Sequence, residues 1–134
     1  MANFILDSYA LLAFFRSEPG GEQVEKLLNE AAEEKHHLFM TVINAGEVYY
    51  MAARKDGPDK AEIVWKALHQ FPVTIVDVDM LLTYKAASIK AKYRLNFADA
   101  YAAALAISKK AILLTGDKEF EHLEQESGFK IRWL

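Results

Sequence analysis

The sequence predicts an α/β protein: a single domain built on a five-stranded parallel sheet with helices on both faces. Three observations predict it. Short apolar runs alternate with longer helical patterns along the whole chain, the arrangement that builds a parallel sheet covered by its crossover helices. The 134 residues contain no linker, repeat or low-complexity segment, so residues 1–134 read as one unit, long enough to bury roughly two-thirds of its unfolded surface. Hydrophobic residues make up 52% and charged residues 26%, which rules out a disordered or collagen-like chain.

Each element has a local justification. Met1–Leu6 is an apolar strand ending at Asp7. Ser8 is placed to cap a helix through about Arg16, with Tyr9, Leu11, Leu12, Phe14 and Phe15 mostly inward. Pro19-Gly20-Gly21 breaks it, and Glu22–Glu34 follows with Val24, Leu27, Leu28 and Ala31 at helical spacing. Leu38–Met40 is the second strand. Helices over Val42–Lys55 and Asp59–Gln70 flank the Asp56-Gly57-Pro58 turn, the latter carrying Ile63, Val64, Ala67 and Leu68. Val73–Val76 is the third strand, and helices over Asp79–Tyr93 and Phe97–Lys109 come next. Ala111–Leu114 is the fourth strand. A last helix runs from beyond Asp117 to about Ser127, Gly128 stops it, and Lys130–Leu134 closes the sheet.

Composition narrows the chemistry. There is no cysteine, which excludes disulfides, thiolate metal sites and thiol nucleophiles. No apolar run approaches the ~20 residues that span a bilayer, and no basic leader precedes Asn3-Phe4-Ile5-Leu6, so a cytoplasmic protein without membrane attachment is expected. The net charge is −3, which at face value argues against a protein that neutralises phosphates without regard to sequence.

The acids are more informative. In a doubly wound sheet, ligands collect at the carboxyl ends of the strands. Asp7 ends strand one and Asp117 lies just past strand four. Glu47 sits early in the helix leaving strand two. Asp99 is in the first turn of a helix that feeds strand four, so that helix begins at the carboxyl edge. Topology therefore brings four carboxylates from distant segments to one rim. Glu47 is the only charge in Val42–Tyr50, and Asp99 the only one in Leu95–Ile107. Desolvated carboxylates repel one another and need a compensating cation, and oxygen-only ligands favour Mg²⁺ or Mn²⁺, one or two ions, over zinc. Each acid also has a bland explanation. Asp7 and Asp117 suit helix caps, Asn96-x-x-Asp99 resembles a capping box, and Glu47 is a good helix former.

Four segments carry a resemblance: Phe4-Ile5-Leu6-Asp7-Ser8, Asn44-Ala45-Gly46-Glu47-Val48, Phe97 to Ala106, and Leu113-Leu114-Thr115-Gly116-Asp117-Lys118-Glu119-Phe120. In order and spacing the chain resembles the PIN-domain ribonucleases, most closely the VapC-type toxins of toxin–antitoxin pairs. The resemblance implies the sheet order 3-2-1-4-5 and a Mg²⁺- or Mn²⁺-dependent endoribonuclease acting on RNA. It implies Asp7, Glu47, Asp99 and Asp117 as catalytic, metal-site acids; of these Asp7 and Asp99 are the expected direct ligands, with Asp117 and Glu47 completing the site. Ser8 and Thr115 match supporting hydroxyls, and Asn44 belongs to the second motif. Many relatives have Asp where Glu119 stands here, so Glu119 is expected in the outer shell. A cognate antitoxin and a homodimer are the implied partners.

Without the four acids, 15 acids face 16 bases. Lys85, Lys90, Lys92 and Arg94 precede Asp99 and are candidate phosphate contacts, against the alternative of a solvated helix face. Other motifs carry less. Asp79 of Asp77-Val78-Asp79 suits a cap, His36-His37 reads as surface before strand two, and Gly20-Gly21 lacks the pattern of a phosphate loop. Tyr49, Tyr50 and Trp65 read as core or interface. Two rival functions remain: a phosphoacceptor receiver domain with Asp77 after strand three, and a non-catalytic PIN-like scaffold.

Overall fold

The computed structural model of the chain describes residues 2–126 and 128–134. Met1 and Ser127, which the sequence pattern places in the first strand and at the end of the last helix, lie outside them. The elements run β1 (Ala2–Leu6), α1 (Ser8–Phe15), α2 (Gly21–Ala32), β2 (His36–Thr41), α3 (Val42–Asp56), α4 (Pro58–Gln70), β3 (Val73–Val76), α5 (Met80–Lys92), α6 (Phe97–Lys109), β4 (Ile112–Thr115), a 3-10 helix (Lys118–Gln125) and β5 (Lys130–Trp133).

All strands are parallel, in the order β3-β2-β1-β4-β5. Successive side chains of a strand point to opposite faces, and β1 shows the consequence. Phe4 and Leu6 join one core with Leu38, Met40, Leu11 and Val24, under α1 to α4. Ile5 joins the other with Leu113, Ala103, Phe120 and Leu123, under α5, α6 and the 3-10 helix. The chain builds outward from β1 to β3, then returns to add β4 on the other side. The reversal falls between β1 and β4, and it opens a crevice at their carboxyl ends. A receiver domain instead has the order 2-1-3-4-5. Here Asp77 follows the edge strand, so the phosphoacceptor alternative does not fit.

Several local expectations change. Asp7, not Ser8, caps α1: its Oδ1 accepts the Ala10 N–H at 2.9 Å. Tyr9 is exposed rather than inward, and so is Ile63, because the buried stripe of α4 is Ala61, Val64 and Leu68. Strand β2 begins at His36, so the two histidines lie within it. His36 packs against Phe4, and its Nε2 lies 3.4 Å from Glu30. The last helix is 3-10, with Phe120 and Leu123 fully buried three residues apart, the period of a three-residue turn. The remaining shifts are of one or two residues at element ends.

Candidate active site

The switch-point crevice is where the four acids meet. Asp7 follows β1 directly and starts α1 with no intervening loop. Its carboxylate is 1% exposed and both oxygens are engaged, Oδ1 by the Ala10 N–H and Oδ2 by the Thr115 hydroxyl at 2.5 Å. Thr115 Oγ1 in turn accepts the Asp117 N–H at 3.0 Å, so one hydroxyl couples the acids that follow β1 and β4. Asp117 Oδ1 caps the 3-10 helix by accepting the Glu119 N–H at 3.0 Å.

Glu47 lies in the second turn of α3. Its Oε1 accepts the Ser8 hydroxyl at 2.5 Å, and its Oε2 faces the Tyr50 hydroxyl at 3.4 Å. Asn44 is fully buried. It accepts from Thr41 Oγ1 and donates from Nδ2 to the Ala98 carbonyl at 3.2 Å, fixing the start of α3 against the start of α6. Asn96 caps α6 by accepting the Asp99 N–H at 2.8 Å. The Asp99 side chain does not complete a capping box: its Oδ2 is buried with no hydrogen-bond partner.

An unpaired buried carboxylate oxygen is costly, and its surroundings raise the cost. Burial pushes the Asp99 carboxyl up to about 8, helped by the charges of Asp117, Asp7, Glu47 and Glu119. Burial also raises Asp7, to about 7. The Thr115 and Ala10 hydrogen bonds oppose that rise, and the charges of Asp117 and Glu47 add to it. Asp99, Asp117 and Glu119 each bring an oxygen within 4.8 Å of the others, a spacing a single cation can bridge. The donor set is all oxygen, which suits a hard divalent cation. The orphaned Asp99 oxygen therefore fits such an ion. A cleft of about 410 Å³ opens onto these groups, lined among others by Tyr9, Glu47, Met51, Asp99 and Asp117.

All four acids are thus brought together, with Ser8 and Thr115 bonded to them and Asn44 one step behind. Glu119, expected in the outer shell, is exposed and brings an oxygen within 4.8 Å of Asp99 and Asp117. Tyr50, read as core or interface, is exposed and reaches Glu47, which its place three residues along α3 could have suggested. The basic residues are placed less centrally. Lys85 bonds Ser108 toward the far end of α6, Lys90 bonds the Leu95 carbonyl, and Lys92 Nζ is 4.0 Å from Glu126. Arg94 is exposed. Asp79 caps α5, and Tyr49 packs edge-on against Trp65.

Fold and site together define an α/β domain with an acid-lined crevice at the switch point of a five-stranded parallel sheet. A family model described as the PIN domain matches residues 4–126, and the chain belongs to that family. It is similar to ribonuclease VapC42 of Mycobacterium tuberculosis and to a VapC ribonuclease of Mycobacterium bovis. Each is 28% identical over 129 residues, covering 90% of this chain and 95% of the relative. Among solved structures, VapBC2 from Rickettsia felis bound to a promoter DNA fragment matches with a TM-score of 0.75 at 12% identity, covering 98% of both chains. VapC20 of M. tuberculosis, a toxin that cleaves the Sarcin-Ricin loop, matches with a TM-score of 0.72 at 15% identity, covering 92% of this chain and 95% of that one.

Proposed function

We propose that the chain is a Mg²⁺- or Mn²⁺-dependent endoribonuclease and the toxin of a toxin–antitoxin pair. The observation that carries the reading is the buried, unpartnered Asp99 Oδ2 beside four other carboxylates, Asp7, Glu47, Asp117 and Glu119. The names of the VapC relatives support the ribonuclease activity, and the toxin–antitoxin complexes among its structural neighbours support a protein antitoxin.

Asp99, Asp117 and Glu119 offer the oxygens that lie closest together, with Asp7 and Glu47 completing the negative wall. These side chains would hold a divalent ion, which when bound would supply a water of lowered pKa and a positive charge beside the attacked phosphate. The residues around it do the positioning. Ser8 and Tyr50 orient Glu47, Thr115 sets Asp7 relative to Asp117, and Asn96 fixes the turn that presents Asp99. The intact acid set and the orphaned oxygen favour this reading over a non-catalytic scaffold.

The test is cleavage of single-stranded RNA with Mg²⁺, Mn²⁺ or EDTA. Wild-type protein is expected to cut only with a metal. Asp7→Asn and Asp99→Asn each lose at least about a hundred-fold while keeping a cooperative melt. Full activity in either variant, or in EDTA, overturns the assignment. The chain is further proposed to form a homodimer, using apolar side chains that α5 leaves exposed.

A further inference from the structure

Tyr9 is a large aromatic side chain left 44% exposed on the first turn of α1, two residues after Asp7. Two independent observations fix where its ring lies. It lines the same 410 Å³ cleft as Glu47, Asp99 and Asp117. It also packs against the backbone next to Asp117, since a β-carbon added at Gly116 would overlap the ring at Cε1, Cζ and Oη. Glycine there lets the ring seat against the loop that carries a site acid. The cleft's other apolar lining is Leu12 of α1, Pro19 of the loop that follows it, and the exposed Met51 of α3.

The cleft is therefore two-sided, with acids fit for a cation at one end and an aromatic and aliphatic wall beside them. A nucleotide has the matching halves: an anionic phosphate, drawn to a cation held by the acids, and a flat apolar base. From this placement we infer that Tyr9 is a substrate-positioning residue, a platform on which the nucleobase flanking the scissile phosphate stacks. Stacking on an aromatic face tolerates any base, so Tyr9 fixes the register of the strand without dictating its sequence. A protein partner covering the ring is the competing use, and nothing in its placement beside the acids calls for one.

The inference rests on the ribonuclease reading, and the experiment separates the two. An RNA that the wild-type protein cuts is resynthesised as a set, each member carrying one abasic nucleotide near the cleavage point. One abasic position is expected to lower wild-type kcat/KM about ten-fold or more. Tyr9→Ala suffers a similar loss on the intact RNA, mostly in KM, and no further loss from that abasic position. Tyr9→Phe, which keeps the ring face, restores most of it. Equal abasic penalties in wild type and Tyr9→Ala overturn the inference. Unchanged cleavage by Tyr9→Ala also overturns it and assigns the ring to a protein contact. Should wild type cut no RNA, the ribonuclease reading fails on its own. The platform is then decided by fluorescence anisotropy with a labelled single-stranded RNA: binding about ten-fold weaker in Tyr9→Ala supports it, and equal binding overturns it.

Discussion

Asp7 uses both oxygens of its side chain, one on a helix N–H and one on a hydroxyl, whereas Asp99 leaves a buried oxygen unpaired. Asp7 caps a helix while sitting among other acids, and Asp99 starts a helix while aiming an unsatisfied oxygen into the same space. Their carboxyls are raised from 3.8 to about 7 and about 8. A group with a raised folded pKa stabilises the fold most below its unfolded value, and that contribution is lost as the pH climbs through the folded value. The metal-free protein is therefore expected to lose stability between about pH 4 and pH 8. Asp99→Asn removes one source of the loss and should melt roughly 4 °C or more above wild type at pH 8, with the gap closing toward pH 4. Differential scanning fluorimetry in EDTA checks this, and a gap that does not depend on pH refutes it. Mn²⁺ should raise the wild-type Tm more at pH 8 than at pH 5 and do little for Asp99→Asn. Thr115→Val strands Asp7 Oδ2 and the Asp117 N–H, so it should cost about 1–3 kcal/mol in chemical denaturation and at least about ten-fold in cleavage.

Among the elements, the ones with a full-length periodic stripe were legible. The helix over Phe97–Lys109 and the strand Val73–Val76 match the sequence pattern, and Asp79 and Asn96 cap as their residue types suggest. The carboxyl-edge argument likewise placed all four acids, because it needs only the direction of each element. Legibility failed where a side chain's use depends on a distant neighbour. Tyr9 has the composition of a core residue, but its ring lies on Gly116, more than a hundred positions away in the chain. Ser8 reads locally as a cap, but its hydroxyl is taken by Glu47, a supporting place that only the family resemblance suggested. The segment after Asp117 has only Phe120 and Leu123 as anchors, too few to separate a 3-10 turn from an α-helix. That short helix holds Asp117 and Glu119 in place, so Phe120→Ala should cost about 3–5 kcal/mol. It should also weaken Mn²⁺ binding by calorimetry, and unchanged affinity would detach the helix from the site.

For the whole molecule, the strand order came from the family resemblance, since local patterns do not order strands in space. Among the described residues, α5 exposes Met80, Leu81 and Tyr84 at 84%, 61% and 71%. If this face joins two copies, wild type sediments as a dimer and Met80→Glu with Tyr84→Glu as a monomer of similar Tm. A monomeric wild type ends that assignment. Among the described residues, no helix is long and apolar enough to cross a membrane. The direct junction of β1 and α1 has a further consequence. With no slack between strand and helix, one inserted residue would turn α1 by about 100° and carry Ser8 away from Glu47. Variation in length is thus disfavoured at the centre of the sheet, where the strand hands the chain directly to the helix.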